Sequence, residues 1–113
     1  MTDLLPLELT PAQARALLAD PRHPALLLDC RDPEEHALSR IAGSMLIPMG
    51  DIPARLPELE AHADRTIVVH CHHGVRSLRV TTYLRQQGFD RVTSMKGGIE
   101  RWSIEIDPSV PRY

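Results

Sequence analysis

Cys71 is the residue of this chain best placed to do chemistry, because of what stands on either side of it. Before it, Ile67, Val68 and Val69 form a continuous β-branched run, the pattern of a strand covered on both faces. After it come His72, His73, Gly74, Val75, Arg76 and Ser77, and from Ser77 onward Val80, Tyr83 and Leu84 fall at the i, i+3, i+4 spacing of an amphipathic helix. The cysteine is therefore expected between the end of a buried strand and the start of a helix. Backbone N–H groups are unpaired there and the helix dipole is positive. Such a place holds an anion. A thiolate is an anion, so Cys71 is expected to be ionised and nucleophilic at neutral pH.

Other uses of the same residues have to be weighed. A free cysteine is usually a small buried hydrophobe, but Gly74, Arg76 and a helix start argue against that here. A metal site would draw on His70, Cys71, His72 and His73, with His36 or His62. Four consecutive ligands cannot easily close on one ion, because alternate side chains diverge from an extended backbone. No C-x-x-C or H-x-x-x-H spacing supports a metal, and none is expected. Two chemistries remain open from residue types alone. In phosphoryl transfer the thiolate attacks a phosphoester while Arg76 clamps its oxygens. In sulfur transfer it attacks the outer sulfur of a donor and holds it as a persulfide.

The elements that would position this loop can be read from the same sequence. Leu7 to Leu9 suits a first strand. Thr10, Pro11 and Gln13 form a capping box for a helix that turns Ala14, Leu17 and Leu18 to the core. Ala25 to Asp29 is an apolar strand ending in a carboxylate, and Asp32-Pro33-Glu34-Glu35 opens a short helix. Met45 to Ile47 suits a third strand. A helical stretch follows around Ile52 to Leu59, which Pro57 should break or kink. The strand Thr66 to His70 leads into a helix from Ser77 to Gln87, ended by Gly88 as a left-handed cap with Phe89 beyond it. Val92 to Met95 is a fifth strand, Gly97-Gly98 a turn, and Ile99 to Ile104 a last helix carrying Trp102. Strands alternating with helices predict an α/β domain with a mostly parallel sheet, right-handed crossovers and ligands bound beyond the strands' carboxyl ends.

Composition narrows the class. The chain has 113 residues, a formal net charge of -2 and 25% charged residues, with arginines interleaved among acids, so no nucleic-acid surface is expected. No apolar run approaches the roughly 20 residues of a membrane span. The stretch Met1 to Pro6 lacks the basic and long apolar regions of a signal peptide, and a cytoplasmic location is expected. Two cysteines do not make a disulfide scaffold, and the cytosol keeps them reduced.

Cys71-His72-His73-Gly74-Val75-Arg76-Ser77 resembles the active-site loop of the rhodanese superfamily of sulfurtransferases. Asp29-Cys30-Arg31 with Glu35 is similar to that family's D-x-R-x-x-x-E pattern. Ile41-Ala42-Gly43-Ser44-Met45-Leu46-Ile47-Pro48 resembles its I-x-G-A-x-x-I-P segment, and Lys96-Gly97-Gly98-Ile99-Glu100-Arg101-Trp102 its closing G-G-x-x-x-W motif. Arg40 stands where the family commonly has histidine, and His36 where it often has phenylalanine.

The resemblance implies a single rhodanese-like domain over 1–113. Its core runs from about 7 to 104 and carries a five-stranded, mostly parallel sheet flanked by helices on both faces; an extended tail covers 105–113. Related phosphatases and arsenate reductases have a loop one residue longer, spaced C-x5-R. Here Cys71 to Arg76 is C-x4-R, which favours sulfur over an oxyanion.

The implied reaction is ping-pong. Cys71 takes a sulfane sulfur from thiosulfate or another small-molecule donor and yields it to cyanide or a thiol acceptor, with no cofactor beyond the covalent persulfide. The loop amides from His72 to Ser77 would hold that persulfide, and Arg76 would attract the anionic donor. His72 and His73 would shape the pocket mouth, while Asp29 and Arg31 fix the framework by hydrogen bonds. Cys30 is expected as packing, with a resolving disulfide to Cys71 as the alternative. Glu105 to Tyr113 resembles the end of rhodanese domains fused to enzymes that activate sulfur-carrier proteins, which implies a carrier protein as acceptor in trans.

Overall fold

The computed structural model describes residues 5–113. The stretch read above for a signal peptide begins at Met1, and its first four residues lie outside the described ones. The chain runs β1 (Glu8–Leu9), α1 (Pro11–Ala19), β2 (Ala25–Asp29), α2 (Pro33–Leu38), β3 (Met45–Leu46), α3 (Leu56–Glu60), β4 (Thr66–His70), α4 (Val75–Gln86), β5 (Val92–Met95) and α5 (Gly98–Glu105). Two 3₁₀ turns, Met49–Asp51 and Pro53–Arg55, lead into α3.

One sheet in the order β1-β5-β4-β2-β3 holds all five strands, and every pairing is parallel. Side chains alternate across it, as strand geometry requires. Leu28, Ile67 and Val69 face Val80 and Leu84 of α4 and Leu59 of α3, whereas Leu27 and Val68 face Ala14 of α1 with Ile99 and Trp102 of α5. Each fully buried Leu, Ile or Val there contributes about 1.5–3 kcal/mol. In the register Asp29 lies opposite His70, so β2 and β4 end side by side and place Cys30 next to Cys71.

Local chemistry explains where the elements start and stop. The Thr10 hydroxyl accepts from the Gln13 N–H at 3.2 Å while the Gln13 amide oxygen accepts from the Thr10 N–H at 2.9 Å, a complete capping box. Past α4, the Phe89 N–H donates to the Leu84 carbonyl (3.0 Å) and the Gly88 N–H to that of Arg85 (3.1 Å), the paired bonds of a Schellman ending.

Four expectations need correcting. The first strand begins at Glu8 rather than Leu7, although the Leu7 carbonyl still accepts from the Ser94 N–H, and β3 ends at Leu46 rather than Ile47. The stretch Ile52 to Leu59 does divide, into the 3₁₀ turn Pro53–Arg55 and α3, and Pro57 sits in the first turn of α3, where its missing N–H would have had no partner anyway. Helix α4 begins two residues before Ser77, because Gly74 turns the chain and its carbonyl already accepts from the Leu78 N–H. The tail is not extended throughout. Residues 107–110 close a turn through the Val110 N–H to the Asp107 carbonyl, and the Asp107 carboxylate accepts from the Ser109 N–H.

Among the described glycines, Gly98 makes the closest approach to another backbone segment. With φ at +62°, it lies so near the Cys71 loop that a Cβ would sit 2.5 Å from the Cys71 carbonyl oxygen and collide with that of His72. At Gly88, φ is +96° and a Cβ would meet nothing within 4 Å. Gly98→Ala is therefore expected to destabilise the protein by more than about 2 kcal/mol, and Gly88→Ala by about 1–2 kcal/mol from backbone strain alone. Urea denaturation of both variants checks the ranking; equal losses would show that the close approach carries no cost.

Candidate active site

β4 delivers Cys71 to the carboxyl edge of the sheet, and α5 decides how the chain continues. The Ile99 N–H donates to the Cys71 carbonyl at 2.9 Å and the Glu100 N–H to the His72 carbonyl at 3.2 Å. Two orphan donors at the start of α5 thus hold the loop's carbonyls on one side. The amides turn to the other side, towards the sulfur. Gly74, with φ at +103°, reverses the chain, and a Cβ there would press on the Gly97 nitrogen at 3.1 Å.

The sulfur is enclosed. Cys71 is 1% exposed, and its Sγ accepts from the Gly74 N–H at 3.0 Å and the Ser77 N–H at 3.3 Å. The Ser77 hydroxyl lies 3.4 Å from Sγ, where it can donate to a thiolate, and is 2.8 Å from the Ser94 hydroxyl of β5 behind it. The thiol pKa is lowered to about 4: the neighbouring Cys30 thiol contributes most, burial opposes, and the Ser77 hydroxyl, Ser77 N–H and Gly74 N–H add to the lowering. Cys30 pays the reciprocal shift. Its own pKa is pushed far up by the Cys71 sulfur and by burial, and its S–H reaches the His70 carbonyl at 3.5 Å. Both cysteines are free, so the pair consists of one thiolate and one thiol.

Asp29 and Arg31 build the wall of the site and are wholly buried. Arg31 grips Asp29 with two bonds, Nε to Oδ1 at 2.9 Å and Nη2 to Oδ2 at 2.7 Å, and donates to the Ser39 carbonyl at 2.6 Å. His36 Nδ1 lies 2.8 Å from Asp29 Oδ2. A buried carboxylate and guanidinium persist only when paired in this way. The two residues are a framework, as the resemblance implies, and His36 belongs to it.

Arg76 does not point freely at the loop interior. Its Nη1 and Nη2 donate to the two Glu35 oxygens at 2.7 and 2.9 Å, and the guanidinium holds the Glu35 carboxyl at about 2. The Tyr113 hydroxyl donates to the same carboxylate at 2.6 Å and accepts from Arg31 Nη1 at 2.8 Å. The Tyr113 ring stacks on His72, and His72 on His73, each at 3.9 Å between centroids. His72 and His73 therefore roof the loop beside Tyr113. Val75 is 66% exposed at the rim. A cavity of about 440 Å³ opens on the far side of Gly74, between His73, Val75, Leu78 and Lys96.

His70 takes no part in the roof. It is buried, and burial first of all lowers its pKa to about 4, leaving it neutral at neutral pH. Among the described residues, no three of His, Cys, Asp and Glu are grouped to hold a metal ion. No helix among the described residues is long and apolar enough to cross a membrane.

Of the loop residues named from sequence, Gly74 and Ser77 meet the sulfur, whereas His72 and His73 stack beside Tyr113, Val75 lies at the rim and Arg76 pairs with Glu35. Sequence reasoning missed Tyr113 and Ser94 and the role of Glu35 as the Arg76 partner. Ser94 did leave a signal, being a polar residue in the middle of a buried strand. Tyr113 left none outside the resemblance of the tail.

Comparisons with known proteins agree on one family. The Rhodanese-like domain model matches residues 10–105. A sulfurtransferase from Allochromatium vinosum is 41% identical over 78 residues, covering 69% of this chain and 71% of its own. The thiosulfate sulfurtransferase GlpE of Glaesserella parasuis is 37% identical over 95 residues, 84% of each chain. In structure, a rhodanese-like domain protein from Staphylococcus aureus superposes with a TM-score of 0.78 at 28% identity over 94% of this chain and 97% of that one. The chain also matches much longer adenylyltransferase and sulfurtransferase proteins, of which it spans 21% to 28%.

The ionised sulfur gives a direct readout. Alkylation of Cys71 by iodoacetamide should rise with pH through a midpoint near 4. Ser77→Ala removes one donor to the thiolate and should move that midpoint up by about one unit, or roughly 1.4 kcal/mol. An unchanged midpoint would show that the hydroxyl does not reach the anion.

Proposed function

Because the chain belongs to the rhodanese-like domain family, we propose that it is a sulfurtransferase carrying sulfur as a persulfide on Cys71. The observation that carries this reading is the buried sulfur met by two backbone N–H groups and a hydroxyl. A pKa near 4 leaves only about one Cys71 in a thousand protonated at pH 7, so the nucleophile needs no base to activate it.

In the first half-reaction the thiolate attacks the outer sulfur of the donor. With thiosulfate, the S–S bond breaks and sulfite leaves with the electron pair, so the three negative charges of the reactants reappear as persulfide and sulfite. The terminal persulfide sulfur carries the charge, and the loop amides are the donors available to it. In the second half-reaction an acceptor thiolate or cyanide attacks that sulfur and regenerates the Cys71 thiolate. The acceptor is a small thiol or, as the resemblance of the tail implies, a sulfur-carrier protein met in trans. Two free thiols suit a reducing cytoplasm.

Oxyanion chemistry is the weaker reading. A phosphatase needs its arginine on the transferred group, and here both terminal nitrogens of Arg76 are committed to Glu35.

Intact mass after incubation with excess thiosulfate or an organic persulfide tests the reading. A gain of about 32 Da that cyanide removes and that Cys71→Ser abolishes is the expected result. No adduct from either donor, with Cys71 still open to alkylation, would overturn it.

His73→Ala removes a ring that only stacks on the roof and should lower turnover less than about tenfold, whereas loss of a general base costs on the order of a hundredfold or more. Steady-state transfer to cyanide measures the difference. A loss matching that of Cys71→Ser would assign His73 to the chemistry.

A further inference from the structure

A donor must bring its charge up to a thiolate, and the only cation of the Cys71 loop is already neutralised. Arg76 spends Nη1 and Nη2 on separate oxygens of Glu35, whose pKa near 2 keeps it ionised at any working pH. Glu35 is itself held in place. Its Oε1 accepts from the Asp32 N–H at 3.2 Å and its Oε2 from the Tyr113 hydroxyl at 2.6 Å. The two side chains are only 29% and 19% exposed, so water does not freely substitute for either partner.

The other cations near the loop are placed differently. Arg31 is bound by Asp29 and fully buried. In the cavity beyond Gly74, Lys96 and Arg101 share the walls with Glu8 and Glu105. Arg79, one turn along α4, lines a separate small cavity with Met49, Ile52 and Tyr83.

We propose that Glu35 determines donor class: by cancelling the charge of Arg76 it fits the site to an organic persulfide of low charge and disfavours the thiosulfate dianion. This inference rests on the persulfide reading above. Thiosulfate brings two negative charges towards the Cys71 thiolate, and a neutral Arg76–Glu35 pair offers no net compensation. An organic persulfide brings at most one negative charge, and none in its protonated form R–S–SH. In that form Sγ bonds to the outer sulfur, the S–S bond breaks, and R–S⁻ leaves with the electron pair; the proton of the outer sulfur is then released, leaving the charged Cys71 persulfide. One sulfur atom moves and no external oxidant or reductant is consumed.

The experiment is single-turnover persulfidation of Cys71, followed by intact mass, with thiosulfate and with 2-hydroxyethyl persulfide. The wild-type protein should favour the persulfide. Glu35→Gln keeps the side chain's size, gives up the two hydrogen bonds accepted by one carboxylate oxygen and restores one net positive charge. It should shift the ratio of rate constants towards thiosulfate by about tenfold, an effect that fades with added salt. Arg76→Gln leaves Glu35 unpaired and should shift the ratio about tenfold the other way. It serves equally if the first variant folds poorly. The double variant, neutral again, should return to the wild-type ratio.

Ratios that stay put in both single variants, or rates that fall together for both donors, would overturn the inference and leave Glu35 a structural brace. Wild-type protein that loads from neither donor would sink the persulfide reading, and the inference with it, through a different signal.

Discussion

The bonds from the first amides of α5 to the carbonyls of Cys71 and His72 are the constraint on which the site depends. A loop has as many acceptors as donors, and an anion can be held only if the carbonyls are engaged elsewhere. Here they are turned down onto Ile99 and Glu100, which leaves the Gly74 and Ser77 N–H groups free to converge on the sulfur. The Gly97-Gly98 turn is what lets α5 come close enough, since any side chain at Gly98 would occupy the position of those same carbonyls. A motif that reads in the sequence as a turn before a helix is thus half of the anion site.

What could be read in advance follows the range of the interaction. The capping box at Thr10 and the paired bonds after Leu84 involve residues three to five apart, so the local sequence specifies them completely. The apolar runs of β2 and β4 declared a buried parallel sheet, and Cys71 could be placed at its edge. The break before Pro57 was legible for the same reason, since a proline fits a helix's first turn and not its interior.

Glu35 and Arg76 lie 41 positions apart, and Tyr113 and Glu35 lie 78 apart. No periodicity links such residues; only the fold brings α2, α4 and the last segment to one point. The tail is anchored there by the burial of Val110, by the Ser103 hydroxyl on its carbonyl at 2.6 Å and by the Ser39 hydroxyl on that of Pro111 at 2.5 Å. Residues expected merely to trail away are therefore part of the roof.

Two cysteines side by side in one core could have made two equivalent nucleophiles, and the arrangement of donors decides against that. Cys71 has the Gly74 and Ser77 amides and the Ser77 hydroxyl aimed at it, whereas the Cys30 thiol faces the His70 carbonyl, which can only accept. Negative charge is therefore stabilised on one sulfur and opposed on the other, and the Asp29 carboxylate adds to the opposition at Cys30. Once Cys71 is ionised, a second ionisation beside it is costlier still. The pair thus settles into one persistent anion and one persistent thiol. That division leaves Cys71 the stronger nucleophile of the pair and Cys30 the weaker one.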